Sequence, residues 1–236
     1  MADIVRVEER AERVIAFIER LQITIGDKSG PFVLRDWQKQ FIRDIYAPHR
    51  GGRRVVRRAV FSVGRKNGKT EIAAAIALAH LIGPEAERFG QIYSAANDRK
   101  QAAILFDAMK RMISATPALQ RHLRVVDSTK TITVMTSGVK GEGSYYRALA
   151  ADGGRQHGLN PSLIIYDELA QSKSRELLDT LTSSQGARYE PLFIAISTQN
   201  NDATHPLSEM IDDALRGEDP TIVCHLCSPS APMAQI

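Results

Sequence analysis

The stretch Ser62-Val63-Gly64-Arg65-Lys66-Asn67-Gly68-Lys69-Thr70 combines glycines, cations and a hydroxyl at a spacing suited to gripping a polyphosphate. Glycines let a chain turn tightly, so that successive backbone N–H groups converge on an anion. Lys69 is placed to meet the β- and γ-phosphates of a nucleoside triphosphate, and the Thr70 hydroxyl to hold Mg²⁺. The spacing departs from the usual pattern at one point. Counting back from Gly68, the first glycine belongs at Val63, and Gly64 stands one place late. A strand, turn and helix that carry Gly-Lys-Thr by chance form the bland alternative.

A second group supplies the acids. Leu163-Ile164-Ile165-Tyr166-Asp167-Glu168 is an apolar strand ending in two carboxylates. In a buried parallel strand they emerge at the carboxyl end, beside a phosphate loop. Asp167 then supports Mg²⁺ through its hydration shell, and Glu168 orients and deprotonates the attacking water. Taken alone, such a strand end is also a common solvated terminus; the two motifs together favour catalysis. Leu192–Ser197 reads as another core strand, leading into Thr198-Gln199-Asn200-Asn201, where polar groups either sense a γ-phosphate or simply leave the sheet. Cys224 and Cys227 form a lone C-x-x-C. On a strand spanning 221–226 that spacing of three sends the thiols to opposite faces, and no second pair completes a tetrahedral site, so neither zinc nor redox chemistry is expected.

The elements that position these groups follow from periodicity. Val7, Ala11, Val14, Ile18 and Leu21 recur at helical spacing, and Trp37, Phe41 and Ile45 line one face of a second helix starting near Arg35. Trp37 reads as a core residue rather than a stacking platform. From residue 58 short apolar runs alternate with helices: strands at 59–63, 91–95, 131–136, 162–166 and 192–197, helices at 70–82, 99–114, 175–182 and 206–216. This predicts an α/β fold with a mainly parallel sheet covered by helices on both faces.

The composition is that of a soluble globular chain: 236 residues, 43% hydrophobic and 25% charged. Two cysteines, no signal-peptide pattern and no apolar run of membrane length point to a reducing cytoplasm and no membrane. The net charge of +4 is modest, yet Arg50-Gly51-Gly52-Arg53-Arg54-Val55-Val56-Arg57-Arg58 holds five arginines and no acid. Arg53, Arg54, Arg57 and Arg58 are therefore candidates for nucleic-acid phosphate contacts, against a merely solvated face.

The order Trp37-Gln38, Gly64 to Glu71, Gly158-Leu159-Asn160-Pro161 leading into Asp167-Glu168-Leu169, and Ser197-Thr198-Gln199 resembles the ATPase domain of tailed-bacteriophage large terminases, from near the N-terminus to about residue 227. The displaced glycine and the arginine inside the loop are features that this family tolerates. The resemblance implies a P-loop NTPase fold of the additional-strand, catalytic-glutamate type. It divides the chain into an N-terminal helical extension (1–33), an ATPase domain (34–228) and a tail (229–236), with no nuclease domain expected. It implies that Gln38 reads adenine, that Gly64, Arg65, Lys66, Asn67, Gly68, Lys69 and Thr70 hold ATP with Mg²⁺, that Arg65 touches the γ-phosphate, and that Ser197, Thr198 and Gln199 couple hydrolysis to DNA movement. Lys69 and Glu168 are the catalytic pair, with Arg155 on a glycine-rich loop as an arginine acting on a neighbouring subunit and Arg147 as runner-up. Implied partners are double-stranded DNA, a portal, a small terminase subunit and further copies in a ring, a monomer being allowed in isolation, in the cytoplasm of an infected or lysogenic bacterium. The rivals are a superfamily-two helicase-like ATPase and a non-catalytic DNA-binding or assembly module with a degenerate loop.

Overall fold

Helix α3 (Lys69–Leu81) is apolar on nearly every side, with each residue from Ile72 to Leu81 buried, the pattern of a helix packed all round rather than one facing water. The computed structural model, which describes residues 3–25, 28–64, 67–150, 158–172, 175–198, 200, 202–227 and 234–235, places it between the main sheet and its helical neighbours α1 (Glu8–Glu19) and α4 (Arg99–Ala115). α2 (Asp36–Tyr46) follows a hairpin of β2 (Gln22–Ile25) and β3 (Lys28–Pro31).

The main sheet has nine described strands. Its centre is six parallel strands: β13 (Ile222–Cys227), β6 (Arg58–Val63), β12 (Leu192–Ser197), β11 (Leu163–Asp167), β7 (Gln91–Ala96) and β10 (Tyr145–Ala150), neighbours in that order. β14 (Ala234–Gln235) closes one side antiparallel; β9 (Thr131–Val134) and the edge strand β8 (Leu123–Val126) close the other, α5 (Pro117–Gln120) leading into β8. Alternation along the strands splits the core. Leu163, Ile165 and Ile194 face α1 to α4; Ile164, Tyr166 and Phe193 face α6 (Glu176–Ser183) and α7 (Pro206–Arg216) through Leu178, Leu181 and Leu207. Both faces are covered, as the sequence predicts.

Sequence reading missed β8, β10, the β2–β3 hairpin and a small antiparallel sheet of β1 (Val5–Arg6), β4 (Pro48–Arg50) and β5 (Arg53–Arg54). Arg50, Arg53 and Arg54 of the Arg-rich stretch lie in that small sheet, which turns at Gly51 (φ 58°) and Gly52 (φ 76°), while Arg58 opens β6 of the main sheet. Beside it, at the amino ends of the parallel strands, Arg10 of α1 bonds Glu85 and Glu190 at 2.7 Å each and His49 at 3.0 Å. This pins the first helix to two distant loops. Among the described residues no helix is long and apolar enough to cross a membrane.

Candidate nucleotide-binding site

β6 leads into the loop at Gly64 and α3 leaves it at Lys69, so strand, loop and helix stand as the motif requires. Asn67 Nδ2 closes the loop on the Gly64 carbonyl at 3.2 Å. Gly68 sits at φ 73°, a left-handed conformation that penalises a side chain. A Cβ there would lie 3.7 Å from Gln38 Nε2. Gln38 is buried, and its Oε1 caps α2 by accepting the Arg35 N–H at 2.9 Å; the amide nitrogen is thereby held against the loop. No side chain caps the start of α3, which leaves its first N–H groups for an anion. Arg65 and Lys66 lie outside the described residues.

Across the loop Lys69 Nζ stands 3.6 Å from Glu168 Oε1. Both Lys69 Nζ and Glu168 Oε2 are buried without a hydrogen-bond partner. Buried charged groups are rarely left so; this pair fits a ligand that brings both negative oxygens and a water. Asp167, at the end of β11, is driven upward to about 6 by burial, aided by the charge of Glu168 and opposed by Lys69. A cation beside it would reverse that. No cluster of three or more His, Cys, Asp or Glu exists among the described residues. The donor set that remains, the Asp167 carboxylate and the Thr70 hydroxyl in the first turn of α3, suits Mg²⁺, which keeps most of its ligands as water and phosphate oxygen.

Glu168 is one of three described non-glycine residues at positive φ (53°), a conformation that costs about 1–2 kcal/mol. Its neighbours hold it there: its N–H donates to Ile196 O of β12 at 2.7 Å, and its carbonyl accepts Asn97 Nδ2, just past β7, at 3.4 Å. Sequence reading did not name Asn97; a polar residue at the exit of a core strand was the available signal. Ser197 is buried, and its Oγ accepts the Ala170 N–H at 2.9 Å, while Asn200 Nδ2 donates to Ala170 O at 2.7 Å. The exit of β12 is therefore fastened to the turn that carries Glu168. Thr198 is half-buried beside it, and Gln199 lies outside the described residues.

Other expectations fare differently. Trp37 packs on Phe61 at 5.4 Å between ring centroids, a core role as expected. Cys224 is buried, its thiol pushed up to about 12 by burial, which leaves it inert. Arg54 is a correction: it is 1% exposed and donates to the carbonyls of Val56 and Glu190, so it cannot meet DNA. Arg58 pairs with Asp219 at 2.8 Å. Arg53 lies over the Tyr189 ring at 3.6 Å and Arg57 donates to Tyr189 O; these two keep a surface position with no ion pair among the described residues. Arg155 lies outside the described residues. Arg147 is exposed within β10, paired with Tyr93 and Thr131.

Comparison with known proteins agrees with this geometry. The chain is 42% identical over 221 residues to the large subunit of terminase from Enterobacteria phage HK97, covering 92% of this chain and 42% of that protein. The crystal structure of the HK97 bacteriophage large terminase superposes with a TM-score of 0.81 at 40% identity, over 94% of this chain and 45% of that one. The chain thus spans less than half the length of the relative it matches. The ATPase domain of the Thermus phage P74-26 large terminase shares the fold, with a TM-score of 0.53 at 20% identity over 72% of each chain. Residues 36–222 match the family described as "Terminase large subunit, ATPase domain", and the chain belongs to that family.

Proposed function

We propose that this chain is the ATP-hydrolysing motor part of a viral DNA-packaging enzyme, driving double-stranded DNA into a procapsid. The observation that carries the reading is the pairing of Lys69 Nζ with Glu168 Oε1 at 3.6 Å across the loop, while Lys69 Nζ and the other carboxylate oxygen, Glu168 Oε2, are buried without a hydrogen-bond partner. On this reading Lys69 and the loop amides hold the β- and γ-phosphates, with Arg65, Lys66 and Asn67 on the same loop and Gln38 at the adenine. Thr70, by its hydroxyl, and Asp167, through the hydration shell, would hold Mg²⁺, which when bound would supply neutralisation of developing phosphate charge. Glu168 aligns the attacking water and takes its proton. Ser197, Thr198 and Gln199 pass the change at the phosphate to the rest of the domain; the Ser197 bond to Ala170 supports this. Arg155 completes the site of a neighbouring copy in a ring, with a portal and a small terminase subunit as further partners, in the host cytoplasm.

Steady-state ATP hydrolysis with and without linear double-stranded DNA tests the whole reading. A motor predicts turnover that DNA accelerates. Turnover with strand separation on a forked duplex would mark a helicase, and DNA binding without any turnover an inert module.

A further inference from the structure

The two sides of the main sheet carry opposite charge. Past β12, residues 202–219 hold six acids and a single arginine, Arg216, and this stretch is α7 with the turns that flank it. At the far side of the strand order, Arg124 of β8 and Arg147 of β10 stand exposed. We propose that the open face of β8–β10 in one copy of this chain is the docking surface for α7 of a second copy, in a head-to-tail contact. The proposal rests on the ring reading above and names the two surfaces by which the copies meet.

The open face follows from the strand register. Arg124 stands beside Thr133 and Thr133 beside Tyr145, while Val126, Thr131 and Arg147 form the next row; partners in register share a face. The alternate residues Leu123, Ile132, Val134 and Tyr146 turn the other way, into the core with α4. On the side of Arg124 the covering helices are α6 and α7. α7 packs on β13 and β6, α6 reaches the central strands through Leu178 and Leu181, and neither is seated over β8 or β9. Met135, next in the alternation after Thr133, is 59% exposed.

The charges on both surfaces are uncommitted. Among the described residues the Arg124 guanidinium has no partner, and that of Arg147 meets only the Tyr145 ring, at 5.6 Å. The carboxylates of Asp212 and Glu218 are exposed and likewise unpaired. Their order also matches. α7 returns from the carboxyl end of β12 to the amino end of β13, so it runs against the strands. In that direction it presents Asp212, then Leu215, which is 39% exposed, and the turn after it presents Glu218. The open face presents Arg147 first, then Arg124 and Met135. Two copies whose strands point the same way therefore meet acid to base at both positions, with Leu215 and Met135 as apolar neighbours. Complementary charge of this kind fixes partner and register more than raw affinity.

A contact between unlike surfaces repeats from copy to copy and closes into a ring when its rotation allows. It also sets what lies near the joint. β6 and β10 are parallel members of one sheet, so their carboxyl ends lie on the same side. Docking brings the carboxyl end of β10, from which the chain runs on toward Arg155, to the flank of the next copy where α7 packs on β6 and β6 leads into the phosphate loop.

The test is sedimentation velocity on the full chain, without DNA, over a range of protein concentration and salt, with the melting temperature as the check on folding. Wild-type chain should associate as its concentration rises and dissociate as salt is added. Arg124→Glu/Arg147→Glu and Asp212→Arg/Glu218→Arg should each weaken association about tenfold or more, because like charges then face one another. Mixed in equal amounts, the two variants should associate again, since every contact between unlike variants is matched in charge. Arg53→Glu/Arg57→Glu, which alters the other arginine surface, should associate as wild type does. Undiminished association in either of the first two variants, no recovery in their mixture, or a loss in the third overturns these docking surfaces and leaves the ring reading standing. Wild-type chain that stays monomeric at every concentration and salt overturns the contact itself. ATP turnover accelerated by DNA in that monomer would keep the motor reading, and its absence would remove both.

Discussion

The Lys69 ammonium lies 3.6 Å from Glu168 Oε1, within electrostatic reach and beyond a good hydrogen bond, and the ammonium and the second carboxylate oxygen, Oε2, are shielded from water. On the proposed reading, a phosphate arriving at Lys69 competes for that ammonium and frees Glu168 for a water. Lys69→Ala should lose nucleotide binding and turnover, whereas Glu168→Gln should bind ATP with near-normal affinity and hydrolyse it about 10²–10⁴-fold more slowly. Equilibrium binding and single-turnover kinetics on the two variants separate the roles; equal loss of binding in both would contradict the division.

On the proposed reading, Asp167 carries the cost of preparing a metal site. Its proton is held more tightly in the fold, about 6 against an ordinary 3.8, mainly because it is buried. A raised carboxylate means that the ligand-free fold loses stability as pH rises from about 4 to about 6, and carries the full cost above that. Asp167→Asn should therefore stabilise the ligand-free chain at pH 7, on the order of 2 kcal/mol, while removing Mg²⁺-dependent turnover. Thermal melts at pH 4 and pH 7 check this, and an equal gain at both pH values would rule out the titration.

At the other end of the sheet the linkage has the opposite sign. Glu190 is held down to about 2: burial pushes it up, but the bonds from Arg10 and the Arg54 N–H outweigh that. Its contribution is present above about pH 4.5 and disappears as pH falls toward 2. Arg10→Ala strands Glu85 and Glu190 and should cost about 3–5 kcal/mol at neutral pH. The loss should shrink in acid, as urea titrations at pH 7 and pH 3 would show.

Ser197→Ala removes the acceptor for the Ala170 N–H and should destabilise the chain by about 1–2 kcal/mol. If this bond transmits the catalytic event, ATP turnover persists while DNA movement per ATP falls. A variant whose turnover and translocation decline in parallel would assign Ser197 to stability alone.

Arg155 is tested by mixing. Arg155→Ala keeps an intact phosphate loop and Lys69→Ala keeps an intact Arg155, so a contribution in trans predicts turnover in the mixture that neither variant shows alone, with a rate effect of about 10³–10⁵. A silent mixture beside active wild-type protein would remove Arg155 from the mechanism.

The parts of this site legible in the sequence are those set by local order. A strand that ends at Val63 and a helix that begins at Lys69 are read from a change of period, and the acids at 167 and 168 from their place after an apolar run. The misreading of Arg54 has the reverse cause. Its stretch contains no acid, but the fold brings Glu190, 136 residues away, to Arg54, and Asp219, 161 residues away, to Arg58. Pairing at that separation leaves no local trace. Glu168's backbone conformation was hidden likewise, because it is imposed by Ile196 on β12 and by Asn97 just past β7.

The sheet finishes at β8, four residues long and carrying the exposed Arg124. An edge that short and that charged is a poor template for another strand. Copies of this chain crowded together are thus steered away from sheet-to-sheet growth at this edge, which leaves side-chain contacts, readily broken and remade, as the favoured meeting of copies there. Replacing Arg124 with valine would remove that safeguard, and slow aggregation at high protein concentration is its expected signature.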